Sequence, residues 1–277
     1  VKIIETVDAF RDVRRRTPDP LGLVPTMGYL HDGHLALVRR ARAENASVAA
    51  SIFVNPTQFA PTEDLATYPR DMEGDLEKLE REGVDLVLAP NADEMYPSGF
   101  DTFVDVGDVA NRLEGAHRPG HFRGVATVVC KLLTIVRPDR AYFGQKDAQQ
   151  SMVIRRLSAD LNLGAEIVVV PTVRDADGLA LSSRNAYVKP DQRDAALTLS
   201  HSLNLARRMY DDGVRDAEKI RSQMRELIAV VPGANLDYVS IADADTLAEL
   251  DDIDRPALVS LAVNVGSVRL IDNTLLP

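Results

Sequence analysis

The sequence predicts an α/β protein: a parallel sheet with helices on both faces, followed by a smaller C-terminal α+β domain. Three observations predict it. Short apolar runs alternate with helical patterns through most of the first 185 of the 277 residues, the rhythm of strand-helix-strand units. One run, SVAASIFV (47–54), is apolar nearly throughout, as a strand covered on both faces must be. After about residue 186 the rhythm gives way to two long helical patterns and then to paired strand-like runs.

Each element follows in order. LGLVP (21–25) reads as a strand, with a helix from His34. SVAASIFV is the second strand, Asp71 to Glu82 a charged helix, and VDLVLAP (84–90) the next strand. Gly124 to Val136 is an apolar helix, RAYFG (140–144) a short strand, Asp147 to Leu161 a helix, and EIVVVP (166–171) a final strand. KPDQRDAALTLSHSLNLARRMYDDG opens with Pro190 and Asp191, residues suited to a helix start, and a second helix spans Ala217 to Val231. NLDYVSIAD and ALVSLAVNVGSVRLIDN read as antiparallel strands turning at Gly266-Ser267. The expected division is a Rossmann-like domain over 1–185 and a smaller α+β domain over 186–277.

Composition narrows the function. A net charge of −10 argues against nucleic acid or an anionic membrane surface, while leaving room for a small anion wherever a few cations gather. The single Cys130 cannot form a disulfide within the chain, which suits a reducing cytoplasm. No apolar run approaches the ~20 residues of a membrane span, and the first residues carry no signal-peptide pattern.

The chemistry-bearing stretches lie between the elements. PTMGYLHDGH (25–34) puts two of the five histidines three residues apart, where the first strand gives way to a helix. Ligands of parallel sheets bind beyond the carboxyl ends of strands. Unpaired N–H groups and the helix dipole would attract phosphate there, Gly33 would allow close approach, and Asp32 would cap the helix. His31 and His34 could donate hydrogen bonds to phosphate oxygens; the plain alternative is a pair of surface loop histidines. A zinc site made with His117 and His121 is a further alternative, weakened by the lack of cysteine or an HExxH element.

Asn55, Gln58, Gln149 and Gln150 are neutral amides able to fix hydroxyl and carboxylate groups without burying another charge. In FGQKD, Gly144 permits close approach, Lys146 offers a point charge and Asp147 an acceptor for ribose hydroxyls. In LSSRN, Ser182 and Ser183 offer hydroxyls and Arg184 a guanidinium, suited to clamping phosphate. His121 and Arg123 lie in a Gly- and Pro-rich loop without an assigned role. Met27 and Phe53 read as apolar lining, His117 and His201 as structural or surface residues, and DMEGDLEKLEREG as a solvated helix face.

The H-x-G-H element resembles the signature of the nucleotidyl-transferring superfamily that includes class I aminoacyl-tRNA synthetases. Taken with SIFVNPTQF (51–59), LEGAHRPGHFRGV (113–125), FGQKDAQQ (143–150), PTVRDADGLALSSRN (171–185) and the terminal VRLIDN, the chain resembles the pantothenate synthetase family along nearly its whole length. The resemblance implies an ATP-dependent ligase joining pantoate to β-alanine through a pantoyl adenylate, with AMP and pyrophosphate released. It implies catalytic roles for His34, His31, Lys146 and Arg184. It implies an ATP set of Met27, His34, Gly144, Lys146, Asp147, Val173, Ser182, Ser183 and Arg184, and a pantoate set of Gln58, Gln150 and Asn55. Mg²⁺ is expected on the ATP phosphates, held mainly by nucleotide and water, and a homodimer is expected. Two rivals share the H-x-G-H element: a transferase that stops at nucleotide transfer, and a sensor that binds ATP without turnover.

Overall fold

The structure, a computed structural model, describes residues 1–61 and 63–277. Its first unit, Val1–Gln145 with Gln149–Pro171, is an α/β layer structure. The elements in chain order are β1 (Lys2–Ile4), α1 (Val7–Arg14), β2 (Leu21–Thr26), α2 (Asp32–Glu44), β3 (Ser47–Ile52) and α3 (Met72–Arg81). They continue with β4 (Leu86–Leu88), α4 (Ala92–Met95), α5 (Glu114–His117), α6 (His121–Val136), β5 (Arg140–Gly144), α7 (Ala148–Asp160) and β6 (Glu166–Val170).

The six strands form one sheet in the order β1-β4-β3-β2-β5-β6, and every adjacent pair is parallel. Alternation along β2 divides the core between two faces. Leu21 and Leu23 pack with Phe10 of α1, with Val129 and Leu133 of α6 and with Ile154 and Leu157 of α7. Val24 packs on the opposite face with Val38 and Ala41 of α2 and Leu79 of α3. Helices thus cover both faces, which explains why all of β3 is buried.

The second unit, Lys146–Ala148 with Thr172–Pro277, is α+β. It contains α8 (Arg193–Asp211), α9 (Ala217–Ala229), β7 (Ala234–Asp243), β8 (Ala257–Val265) and β9 (Val268–Leu276). The three strands are antiparallel, and β8 and β9 turn through Gly266-Ser267 as expected, Gly266 supplying the positive φ of 59°. Leu199 and Leu203 of α8 and Ile220 and Met224 of α9 share a core with Val259, Leu261 and Val263 of β8.

Four differences from the sequence expectation stand out. α2 begins at Asp32, two residues before His34, because the His31 ring caps it. Pro190–Gln192 is a separate 3-10 turn and α8 starts at Arg193. The second unit also begins earlier than residue 186. Residues 173–181 form a hairpin, with Leu181 N–H donating to the Val173 carbonyl, and Arg174 ties it to Asp272 of β9. Strand β1, three residues long at the sheet edge, was not anticipated.

Candidate functional site

β2 and β5 are neighbours, and the chain leaves β2 for β3 on one side while β5 leads to β6 on the other. This is the switch point of the sheet, where strands on either side open a crevice at their carboxyl ends. Residues 27–34 follow β2 there, and Gly144 ends β5.

His31 is the N-cap of α2. Its Nδ1 accepts from the Gly33 N–H at 3.1 Å, and the His31 N–H donates at 3.4 Å to Nδ1 of His34. The two rings lie 4.1 Å apart between centroids. An imidazole that accepts at Nδ1 offers Nε2–H as its donor, so both rings are set up as hydrogen-bond donors at Nε2. Asp32, expected to be the cap, is exposed in the first turn.

Most backbone donors of the turn are paired within the chain, contrary to expectation. Gly28 N–H donates to Thr26 Oγ1, and His34 N–H to the His31 carbonyl. The Tyr29 and Leu30 N–H groups each donate at 2.6 Å to the carboxylate of Asp75 on α3. Asp75 is 1% exposed, so DMEGDLEKLEREG is more than a solvated face. Burial pushes its carboxyl above the usual carboxylate range, against the pull of the two N–H groups and Lys78. With these donors spent, an anion here meets side chains more than backbone.

The amides form a second cluster. Asn55 caps the 3-10 turn Pro56–Gln58 and is 1% exposed. Its Nδ2 donates to the Gly124 carbonyl at 3.2 Å and to Gln58 Oε1 at 3.0 Å, while its Oδ1 accepts from Tyr96 Oη at 2.7 Å and from the Thr57 N–H. Both ends of Asn55 are engaged within the protein, so it orients Gln58 where direct contact with a ligand was expected. Gln58 Nε2 lies 3.3 Å from Met27 Sδ, a weak acceptor, and so keeps donors to offer. Gly124 lets α6 approach the turn closely, because a Cβ there would lie 2.3 Å from the Thr57 carbonyl oxygen.

His121 has a place here that the sequence did not reveal. Its Nδ1 lies 2.8 Å from the Gln58 carbonyl, and its Nε2 lies 3.1 Å from Nη1 of Arg118. A guanidinium only donates, so Nε2 accepts and Nδ1–H donates to Gln58. Arg118 also pairs with Glu63 through both carboxylate oxygens, at 2.7 and 2.8 Å. Burial, and then Arg118, lower the His121 pKa to about 4. Arg123 lies over the Phe103 ring near Asp105, on the surface.

Gln149 and Gln150 part company. Gln149 is buried, accepting from the Glu114 N–H and donating to the Val109 and Arg112 carbonyls, so it is structural. Gln150 is half-buried. Among the described residues, no three or more His, Cys, Asp or Glu side chains gather as a metal cluster, and His121 is committed to Gln58 and Arg118. The four-histidine zinc alternative therefore has no support. Phe53 is core, packed beside Tyr96; His117 and His201 lie exposed on α5 and α8.

In the second unit, Lys146 donates to Asp147 Oδ1 at 3.1 Å, and its own carbonyl accepts from Asn273 Nδ2 at 2.7 Å. Beside Asn273 on β9, Asp272 is buried and pairs with Arg174 at 2.6 and 2.9 Å. Arg193 joins Asp175 and Asp177 to α8. The hairpin so fixed leads into the 3-10 turn Ser183–Tyr187, capped by Ser182, whose Oγ accepts from the Arg184 N–H. Ser183 is buried; Val173, Ser182 and Arg184 are half-buried.

Comparison with known proteins supplies the family. A family model described as pantoate-beta-alanine ligase matches residues 2–275. The pantothenate synthetase of Roseiflexus castenholzii is 58% identical over 276 residues, covering 100% of this chain and 99% of that one. A crystal structure of the Thermus thermophilus pantothenate synthetase has a TM-score of 0.95 and 47% identity, with 99% of each chain covered. The pantoate-beta-alanine ligase of Francisella tularensis, in complex with beta-gamma ATP and beta-alanine, has a TM-score of 0.82 and 35% identity, covering 99% of this chain and 97% of that one.

Proposed function

Because the chain belongs to the pantoate-β-alanine ligase (pantothenate synthetase) family, we propose that it condenses pantoate with β-alanine in two steps through a pantoyl adenylate. The pantoate carboxylate attacks the α-phosphorus of ATP, forming the acyl phosphate bond and expelling pyrophosphate. The β-alanine amine then attacks the activated carbonyl, expelling AMP and losing a proton as the amide forms. Neither step needs a protein nucleophile, so the protein contributes position and charge stabilisation.

The observation that carries the residue roles is the capped start of α2. Two imidazoles, each with Nδ1 engaged by a backbone N–H, follow the carboxyl end of β2 at the switch point. In this reading His34, with His31 beside it, donates to phosphate oxygens as charge moves onto them. Lys146 and Arg184 supply the cationic groups, Ser182 and Ser183 add hydroxyl donors, and Gly144, Asp147, Met27 and Val173 contact the nucleotide. Gln58 donates from Nε2 to pantoate oxygens, Gln150 assists it, and Asn55 keeps the Gln58 amide turned the right way. Mg²⁺ enters with the ATP phosphates, and no residue is assigned to it. The Francisella complex with beta-gamma ATP and beta-alanine supports the nucleotide and the amine as ligands of this chain as well.

Product analysis tests the reading. With ATP, Mg²⁺, pantoate and β-alanine, the expected products are AMP, pyrophosphate and the amide in equal amounts. Sustained AMP release should stop when β-alanine is omitted. Release of ADP and inorganic phosphate would contradict the adenylate, and the absence of any turnover would favour a nucleotide sensor.

A further inference from the structure

The turn between β2 and α2 is held from outside by a residue pair on α3. Gly28 and Tyr29 are successive residues with positive φ, 84° and 53°. Such a turn directs its N–H groups together, an arrangement that elsewhere in proteins receives an anion. Here the anion belongs to the chain: Asp75, 1% exposed, accepts from both the Tyr29 and Leu30 N–H groups at 2.6 Å. Lys78, one helical turn on, donates to the Leu30 carbonyl at 2.9 Å and lies 3.9 Å from Asp75 Oδ1. Both polar groups of the Leu30 residue are thereby bound to α3. A Cβ at Gly28 would lie 3.0 Å from Asp75 Oδ2, so the carboxylate sits directly against the turn. Leu30 itself is buried with Leu37 and Leu79, and His31 is the next residue.

We propose that Asp75 and Lys78 are positioning residues for adenylate formation, clamping the Gly28–Leu30 turn so that the His31 and His34 rings meet the ATP phosphates in reactive geometry. The inference rests on the reading of the two histidines given above. Its physical basis is leverage. The turn is the only covalent link between β2 and the cap of α2, and a shift of an ångström at a catalytic donor can cost about 10²-fold in rate. The pre-filled anion site has a second consequence. Phosphate cannot use the Tyr29 and Leu30 N–H groups, so it is left to the imidazoles and the cationic side chains.

The test is a double-mutant cycle on the full chain, read by isotope exchange between pyrophosphate and ATP with Mg²⁺ and pantoate. Thermal melting of each variant reports the fold. Asp75→Asn keeps the side-chain shape but loses one of the two acceptor oxygens. We expect it to lower the exchange rate at saturating substrates by about 10- to 10²-fold, with the KM for pantoate within about 3-fold of the parent. In a His34→Ala background the same change should cost at most about a third as much, because one of the two rings it positions is gone. A clamp serving stability alone would lower the melting temperature and multiply its effect equally in both backgrounds. That result, or an undiminished rate in folded Asp75→Asn, overturns the proposal. Should Asp75→Asn fail to fold, Lys78→Met removes the tie to the Leu30 carbonyl and the charge beside Asp75 and is judged by the same cycle, with a loss of about 3- to 10-fold expected in the parent and a smaller one in His34→Ala. A parent-like rate in His34→Ala alone would defeat the reading of the histidines, and the clamp with it. A slow His34→Ala with independent effects at Asp75 or Lys78 would defeat only the clamp.

Discussion

Nδ2 of Asn55 lies 3.0 Å from Oε1 of Gln58, and the direction of that hydrogen bond is fixed by backbone groups on either side of Asn55. Nδ2 also faces the Gly124 carbonyl, and Oδ1 faces the Thr57 N–H. Asn55 cannot turn over without setting donor against donor and acceptor against acceptor. Gln58 must therefore give its oxygen to Asn55 and keep its N–H groups as donors, which the proposed function assigns to pantoate.

Gln58→Glu tests this polarity with little change of shape. The introduced carboxylate can still accept from Asn55, but it turns a negative oxygen where the amide offered donors. The KM for pantoate should rise by about 10²-fold, the scale of losing hydrogen bonds to a charged group and adding like-charge repulsion. The KM for ATP and the melting temperature should change little. Steady-state kinetics and a thermal melt check all three.

His31 has two jobs that can be separated. As N-cap of α2 it stabilises the helix start, and in the proposed function its Nε2–H serves the phosphates. His31→Ala should cost about 1 kcal/mol of stability together with activity. His31→Asn, which retains a good cap, should restore most of the stability and little of the pyrophosphate exchange. Chemical denaturation and exchange rates, measured on the same preparations, compare the two.

Why the strands were legible and parts of the site were not follows from what each depends on. RAYFG occupies β5 residue for residue, and the largely apolar SVAASI is buried throughout, because a strand covered on both faces has a purely local signature. Spacing and residue chemistry brought the two histidines, Gln58 and Arg184 to notice, and the family resemblance implied their roles. Neither could distinguish Asn55 as an orienting group, Gln149 as a buried strut to Glu114, or His31 as the cap in place of Asp32. Asp75 was hidden by its company: in DMEGDLEKLEREG it looks like its exposed neighbours. Only the fold, by bringing α3 against a turn 45 residues earlier in the chain, reveals its two backbone partners. Hydrogen bonds of that sequence separation leave no periodic trace.

His121 should make the protein acid-labile in a defined window. Its pKa in the fold is lowered to about 4, below the ordinary value of 6.5, so the unfolded chain binds more protons between those values. Its contribution is present above about pH 6.5 and is lost as the pH falls toward about 4. At about 1.4 kcal/mol per pH unit of difference, the loss is at most ~3 kcal/mol. Urea denaturation at several pH values should show that slope, and His121→Gln should flatten it, leaving the part due to carboxylates such as Glu63.

Asn273 carries the hydrogen bond that holds the Lys146 carbonyl. Asn273→Ala leaves that carbonyl without its donor and should raise the KM for ATP by about 5- to 10-fold, in keeping with a bond worth about 1 kcal/mol. The KM for pantoate should stay near that of the parent. Lys146→Met should be more severe, by about 10²-fold in kcat/KM, because it removes the charge itself.

The central claim is that this chain activates pantoate by adenylation before any amine arrives. The most direct measurement is exchange of labelled pyrophosphate into ATP with Mg²⁺ and pantoate, with β-alanine omitted and related 2-hydroxy acids as controls. The account predicts exchange with pantoate, much less with the controls, and a loss of about 10²-fold or more in His34→Ala. Absence of exchange with pantoate, under conditions where ATP and pantoate both bind, would contradict it.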